Sequence, residues 1–516
     1  MLAISLARAE PPDIVIVLAD DMGYSDIGCY GGEVRTPAID GLAANGLRFT
    51  RFYNAARCCP TRASLLTGLY PHQAGVGHMV EDRGKPGYRG RLNNRCVTMA
   101  EVLRAAGYHT AMAGKWHVTP FDYETSKASD RGSWPLQRGF ERFTGSLAGG
   151  GSYYRPKGWM VDNEFVSPGE GFYYTDAVTD AATRFIGEAS PGQPLFLYVA
   201  YTAPHWPLHA REEDIARYEG VYEAGWDAIR EARYQRMVKM GLINGNWPLS
   251  PRDARVEAWA TTKDRNWRAR QMAAYAAMID RMDQGIGKIV EALRKRGRFD
   301  NTLVLFLADN GGCEETPGLP GIRRFAAAGE DISRWGNRKD VPAGPRGTFQ
   351  SYGIPWANAS NTPFRWYKSE VHEGGISSPL VAHWPAKIRG ALRGSLVHDP
   401  AHLIDLMATS VDLAGARYPA VHADREVQPM EGITLRPAFE GKPLARGKPL
   451  FFEHEGNRAV IDGSWKLVAM ARGPWELYDL AADRTEEHNL APSQPERRER
   501  MASMWTEWAK RANVTP

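Results

Sequence analysis

The chain has 516 residues, 43% of them hydrophobic and 24% charged, a globular composition that excludes wholesale disorder. Its 64 Lys and Arg against 60 Asp and Glu leave a net charge of only +4, too balanced for nucleic acid or an anionic membrane surface as the main partner. No run approaches the ~18 consecutive apolar residues of a membrane span, and the five scattered cysteines, Cys29, Cys58, Cys59, Cys96 and Cys313, do not form a secreted disulfide framework.

The first ten residues, MLAISLARAE, end in a small-x-small step at Ala7-Arg8-Ala9 but lack a basic leading region. They read either as the tail of a secretory signal or as a disordered start. The compartments left open are the bacterial periplasm and cytoplasm, with the signal-like start favouring the periplasm. Asp13 to Asp21, DIVIVLADD, is a β-branched run ending in two acids. Cys58 to Gly68 reads as a short helix, with Pro60 in its first turn and Gly68 as its stop. Met99 to Ala106 is helical and leads into the strand-like Gly107 to His117; Pro194 to His205 is a further buried strand. Residues 206 to 267, rich in Arg, Glu and Trp, suggest a helical insertion, and Arg268 to Gly297 is a long amphipathic helix. Thr302 to Asn310, TLVLFLADN, repeats the sentence of the first strand. Residues 311 to 366 are dense in Gly, Pro and aromatics and suggest long loops. Beyond about residue 430, strand-like Pro449 to Glu453 and Lys466 to Met470 precede a charged terminal helix, Gln494 to Ala512.

Short apolar runs alternating with helical patterns predict an α/β fold with a large, mostly parallel central sheet covered by helices on both faces. The expected division is a leading segment 1–11, a catalytic domain 12–425 and a smaller α+β domain 430–516. In such sheets ligands bind beyond the carboxyl ends of the strands. Four strand ends here carry Asp-Asp, Lys-x-His, His and Asp-Asn. Asp20, Asp21, Asp309 and Asn310 offer an all-oxygen set suited to a hard cation, Ca²⁺ or Mg²⁺, and unlike a zinc site. Each acid read alone is equally a turn or helix cap. Cys58 at a helix amino terminus, with Arg62 one turn on, reads as a reactive thiol or an oxyanion site; the alternative is a buried structural pair with Cys59. Lys115 and His117, two apart, would share a face of an extended segment. Tyr153, Tyr154, Trp206, Trp366 and Tyr367 either line a pocket or pack.

Cys58-Cys-Pro-Thr-Arg62-Ala-Ser-Leu-Leu-Thr-Gly68 closely resembles the signature of the formylglycine-dependent type I sulfatases of the alkaline phosphatase superfamily. Gly107-Tyr-His-Thr-Ala-Met-Ala-Gly-Lys115-Trp-His117 resembles their second signature. Ala203-Pro-His205-Trp-Pro-Leu208, Lys368-Ser-Glu-Val-His-Glu-Gly-Gly375 and the closing ELYDLAADRTEEHNL agree with it in order, from about Pro12 to Leu490. Among sulfatases the chain looks most like the bacterial arylsulfatases. The resemblance implies an alkaline phosphatase-like mixed sheet and a C-terminal domain with a short antiparallel sheet. It implies that Cys58 is converted to Cα-formylglycine by a formylglycine-generating enzyme. One Ca²⁺ is then bound by Asp20, Asp21, Asp309 and Asn310 together with residue 58. The implied catalytic set is residue 58 as nucleophile, Asp309 as proton acceptor, Arg62, Lys115 and Lys368 as clamps, His205 with Lys368 at the leaving oxygen, and His117 at sulfate release. The implied substrate is a small-molecule sulfate monoester. A phosphonate monoester or phosphodiester hydrolase using the same site, as a promiscuous activity, is the alternative.

Overall fold

The computed structural model describes residues 10–120, 128–326 and 330–515; the signal-like stretch over Met1 to Ala9 lies outside the described residues. Strands β1 (Asp13–Ala19), β2 (Leu47–Tyr53), β3 (His109–Lys115), β4 (Arg142–Ser146), β5 (Trp159–Val161), β6 (Glu164–Phe165), β7 (Leu195–Ala200), β8 (Thr302–Ala308), β9 (Ser377–His383), β10 (Ser395–Val397) and β11 (Ala401–His402) form one sheet. Its order is β10-β2-β9-β8-β1-β7-β3-β4-β5-β6, with β11 beside β2. The five central strands β8, β1, β7, β3 and β4 run parallel, while β9 runs antiparallel to both of its neighbours.

The continuous apolar runs arise because both faces of the sheet are covered. In β1, Val15, Val17 and Ala19 enter one core, and Ile14, Ile16 and Leu18 enter the other. Strand β8 divides Val304, Phe306 and Ala308 from Leu303, Leu305 and Leu307 in the same way. Each such aliphatic or aromatic side chain stabilises the fold by about 1.5–3 kcal/mol relative to exposure. Helices α3 (Tyr174–Glu188) and α4 (Arg265–Lys295) cover the first face. Helices α1 (Cys58–Thr67) and α2 (Met99–Ala105) cover the second.

Two expectations need correction. Residues 206–267 are helical only over Glu212–Ile215, Gly225–Lys239, brief 3₁₀ turns and the first residues of α4 from Arg265, because Pro207, Gly241, Gly245, Pro248 and Pro251 interrupt the ladder. The loops of 311–366 contain two short helices, Leu319–Arg323 and Gly353–Ser360.

After a short hairpin, β12 (Val421–His422) with β13 (Arg425–Glu426), the chain builds a four-stranded antiparallel sheet. Its strands are β14 (Leu450–His454), β15 (Asn457–Asp462), β16 (Trp465–Ala469) and β17 (Glu476–Asp479), and helix α5 (Pro495–Ala512) follows. Leu450, Phe452, Ala459 and Ile461 pack against Tyr53, Tyr70, Val371 and Ile376 of the large body, while Val460, Leu467 and Leu477 pack on Met501 of α5. Fully buried charges rivet this junction. Glu373, just before β9, accepts from Lys466 Nζ at 3.0 Å and Arg484 Nε at 2.8 Å. Lys466 also pairs with Glu486 at 2.8 Å, and Arg484 Nη1 donates to the Thr50 carbonyl at 2.6 Å. Burial raises the Glu373 carboxyl, but Lys466 and Arg484 outweigh it and hold the group at about 2, below its usual 4.5. A lowered native value stabilises the fold above the unfolded value and loses that contribution as pH falls. Glu373→Gln is therefore expected to lower unfolding free energy by about 3–5 kcal/mol, because Arg484 loses its buried counter-charge and Lys466 loses one of its two. In urea titrations the stability difference from wild type should shrink as pH falls from about 4.5 toward about 2. A difference independent of pH over that window would refute the assignment.

Candidate active site

Strands β1 and β8 pair in register up to Ala19 and Ala308, so the residues that follow them emerge side by side. Asp20, Asp21 and Asp309 are 0%, 1% and 0% exposed, and each offers an oxygen within 4.8 Å of the others. The backbone turns them inward. Asp309 N–H donates to the Ala19 carbonyl at 3.0 Å. Asp21, in a left-handed conformation at φ 62, donates its N–H to Asp309 Oδ1 at 3.1 Å. Three cations answer these charges, each from a different element. Lys115, the last residue of β3, reaches Asp20 Oδ2 at 2.6 Å. Lys368, ahead of β9, reaches Asp21 Oδ2 at 2.8 Å. Arg62 of α1 reaches Asp309 Oδ2 at 2.8 Å.

The compensation is incomplete. Burial, with the repulsion of Asp20, pushes the Asp309 carboxyl well above its ordinary value. Burial likewise raises Asp20 against the pull of Lys115 and Arg62. For Asp21, Lys368 and His205 outweigh burial and hold it low. Among the described residues Asp20 Oδ1 and Asn310 Oδ1 have no hydrogen-bond partner although both are buried, Asp20 Oδ1 meeting only Arg62 Nη2 at 3.5 Å as an ion pair; Asn310 Nδ2 donates to Asp21 Oδ1 at 2.7 Å. Raised carboxylates and orphaned oxygens in an all-oxygen set fit a hard divalent cation.

Cys58 opens α1, directly after Arg57 in extended conformation (φ −145, ψ 149), and the helix ends at Gly68 in the left-handed region at φ 69. The side chain at 58 therefore sits where free amide groups and the helix dipole favour negative charge. Arg62, one turn along, also donates from Nη1 to the Lys115 carbonyl at 3.0 Å and so ties α1 to the end of β3. A hydrogen bond with Cys59, and the charges of Lys115 and His117 working against burial, hold the Cys58 thiol well below its ordinary value. Burial and the neighbouring Cys58 push Cys59 the opposite way.

His117 reaches the site by a different route from the one expected. Strand β3 stops at Lys115, and His117 lies beyond it with φ 57. A left-handed turn, and not a shared strand face, brings its ring beside Cys58 and Cys59, with ligand atoms of all three within 4.8 Å. Burial holds His117 at about 4. His205 follows β7 on a loop fixed by Tyr153, whose hydroxyl donates to the Thr202 and His205 carbonyls at 2.7 and 2.9 Å. Its Nδ1 lies against the Trp206 carbonyl, which requires the proton on Nδ1 and leaves Nε2 facing Asp21 Oδ2 at 3.4 Å.

All the expected residues thus converge at the carboxyl edge of the sheet. The Cys58 thiol, however, groups with Cys59 and His117 and not with the three carboxylates. Of the aromatics, Trp206 stands against His205, ring centroids 4.6 Å apart. Tyr153, Tyr154 and Tyr367 spend their hydroxyls on Thr202 and His205, Ala210 and Asp253. Sequence reasoning missed Glu315, which joins Trp206 Nε1 (3.1 Å) to Arg57 (2.9 Å), and the glycine run 149–151 just past β4. A Cβ at Gly149 would lie 2.1 Å from His117 Cε1 and Nε2, and one at Gly150 would lie 3.2 Å from His205 Cε1. The run of three glycines after a strand was the available signal. Gly149→Ala must displace the His117 ring; since a shift of about 1 Å at a reacting group costs on the order of 10²-fold in rate, kcat should fall by about that factor with the melting temperature little changed. Wild-type kcat in this variant would show that His117 does not act where it stands.

A family model described as Sulfatase matches residues 12–416. The chain is 35% identical over 456 residues to an arylsulfatase of Klebsiella aerogenes, covering 85% of this chain and 94% of that one. It is 31% identical over 550 residues to a sulfatase of Schizosaccharomyces pombe, covering 97% and 93%. Among solved structures, that of Ps i-CgsB superposes with a TM-score of 0.69 at 26% identity over 97% of this chain and 93% of that one. With this sheet, this edge and these relatives, the chain belongs to the sulfatase family and is a sulfatase enzyme of the alkaline phosphatase-like fold.

Proposed function

We propose that the enzyme hydrolyses sulfate monoesters of the arylsulfatase type through a Cα-formylglycine formed from Cys58 by a formylglycine-generating enzyme, with one Ca²⁺ held by Asp20, Asp21, Asp309 and Asn310. The observation that carries this reading is the set of buried polar atoms around position 58 that make no hydrogen bond among the described residues: Asp20 Oδ1, whose ion pair with Arg62 Nη2 is a long 3.5 Å, Asn310 Oδ1 and His117 Nδ1. A thiol satisfies them poorly, whereas two hydroxyls and a cation match them. A formylglycine hydrate supplies one hydroxyl to attack sulfur and a second whose deprotonation lets the aldehyde return as sulfate departs. The cation supplies charge that polarises the sulfuryl oxygens.

The chain's own residues do the rest. Asp309, steadied by Arg62 at 2.8 Å, accepts the proton of the attacking hydroxyl. Arg62, Lys115 and Lys368 are 0%, 0% and 1% exposed, and they stabilise the charge that grows on the transferring group in a site without bulk water. His205 Nε2 and Lys368 Nζ both reach Asp21 Oδ2, so they share one side of the site, where they serve the leaving oxygen. His117, neutral because burial holds it at about 4, takes the proton of the second hydroxyl.

Three measurements test this. Mass spectrometry of the peptide containing Cys58 should show an aldehyde oxygen in place of the thiol sulfur in protein made beside the modifying enzyme; free thiol alone would refute the nucleophile. Cys58→Ala should lower kcat by more than about 10³-fold with unchanged thermal unfolding. The ratio of kcat/KM for a nitrophenyl sulfate over a nitrophenyl phosphonate should exceed one; the reverse would make the enzyme a phosphonate hydrolase on the same site.

A further inference from the structure

Cys59 has no part in the chemistry above, yet it is 0% exposed and lies against both Cys58 and His117, themselves 2% and 3% exposed. The two sulfurs and a ring nitrogen of His117 all fall within 4.8 Å of one another. Among the described residues His117 Nδ1 makes no hydrogen bond although it is buried. A third sulfur is close by: Met79 Sδ lies 3.7 Å from Cys59 Sγ.

We infer that the encoded form of the protein, with residue 58 still a cysteine, carries a second metal site: one thiophilic cation such as Zn²⁺, held by Cys58 Sγ, Cys59 Sγ and a ring nitrogen of His117. Zinc bonds to sulfur at about 2.3 Å and to imidazole nitrogen at about 2.0–2.1 Å, which places two sulfurs of a tetrahedron about 3.8 Å apart. The three ligand atoms already lie within 4.8 Å of one another, and the thioether of Met79, 3.7 Å from Cys59 Sγ, is the nearest further sulfur. The donor set decides the ion. Two sulfurs and a nitrogen select a soft d¹⁰ cation and reject Ca²⁺, whereas the oxygen set of Asp20, Asp21 and Asp309 does the opposite. The two sites share no ligand atom. Binding releases each remaining thiol proton to solvent, and the two thiolates balance the 2+ charge.

Residue 58 is the pivot. Its conversion to an aldehyde, the reading proposed above, exchanges one of the two thiolates for oxygen. Only Cys59 and His117 then remain, and the soft-metal site dissolves. Maturation thereby changes which ion the pocket prefers, and zinc on an unconverted chain masks the thiol that is to be modified.

The test uses the full-length chain from a host without the modifying enzyme, reduced and kept in excess Ca²⁺, titrated with Co²⁺ and then Zn²⁺. One equivalent of Co²⁺ should produce thiolate-to-cobalt charge-transfer absorption that Zn²⁺ abolishes and Ca²⁺ does not. Loss of an outer partner of a metal ligand alone costs 10- to 100-fold in affinity, so loss of the ligand itself in Cys59→Ala should weaken Zn²⁺ binding by on the order of 100-fold or more. The melting temperature and Ca²⁺ binding should be retained; Cys59→Ser, closer in volume, serves the same purpose if the alanine variant unfolds. Absence of the charge-transfer band, or undiminished affinity in both variants, overturns the site. Chain shown by mass spectrometry to be converted should lose the band, and a full band there overturns the switch. If no host yields converted chain, the formylglycine reading falls while the cobalt result still judges the metal site.

Discussion

Three carboxylates forced together in a dry pocket are the constraint around which the rest of the molecule is arranged. Asp20, Asp21 and Asp309 meet because β1 and β8 are paired in parallel register and end at the same level. Like charges at that spacing repel strongly in a medium of low dielectric constant, and no single neighbour can offset them. The fold recruits Lys115, Lys368 and Arg62 from three separate elements, and what they leave unbalanced is where the proposed cation would sit. Lys115 and Arg62 also act on position 58. One electrostatic problem and its partial solution therefore underlie both the proposed metal pocket and the proposed clamp on the transferring group.

The direction of β9 matters more than its length. Because it runs against the parallel core, its amino end lies at the catalytic edge. The segment before it carries Lys368 into the pocket and, five residues on, Glu373 into the buried ion network with Lys466, Arg484 and Glu486. Buried pairs of this kind contribute little net stability against an apolar alternative, yet breaking one partner is costly. Here the network fixes the segment bearing Lys368 to the small C-terminal sheet, so the accessory sheet sets the position of a residue it never touches.

Much of this was legible in the sequence for identifiable reasons. Strands β1 and β8 showed themselves because two-sided burial writes an unbroken apolar run, and their terminal acids stood out against it. Helix α1 was marked by Pro60 and Gly68. His117 does stand beside position 58, but not by the shared strand face expected, since a left-handed residue past a strand leaves no periodic trace. Glu315 could not be read, because its partners, Trp206 and Arg57, are remote in sequence and lie on loops. The 206–267 region misled because its Arg, Glu and Trp content suits helices, whereas its prolines and glycines decide the backbone.

The burial of position 58 is assembled late. Its covers come from β3, from the end of β8, from Lys368 and, through Glu373, from Lys466 and Arg484, all encoded well after it. At about 5–20 residues per second, a ribosome needs about 20 to 90 seconds to add the last of these, and until then the enclosure of position 58 is incomplete. Chain order thus opens a temporal window: residue 58 is made before most of the groups that enclose it, a schedule that the proposed conversion of that side chain would use.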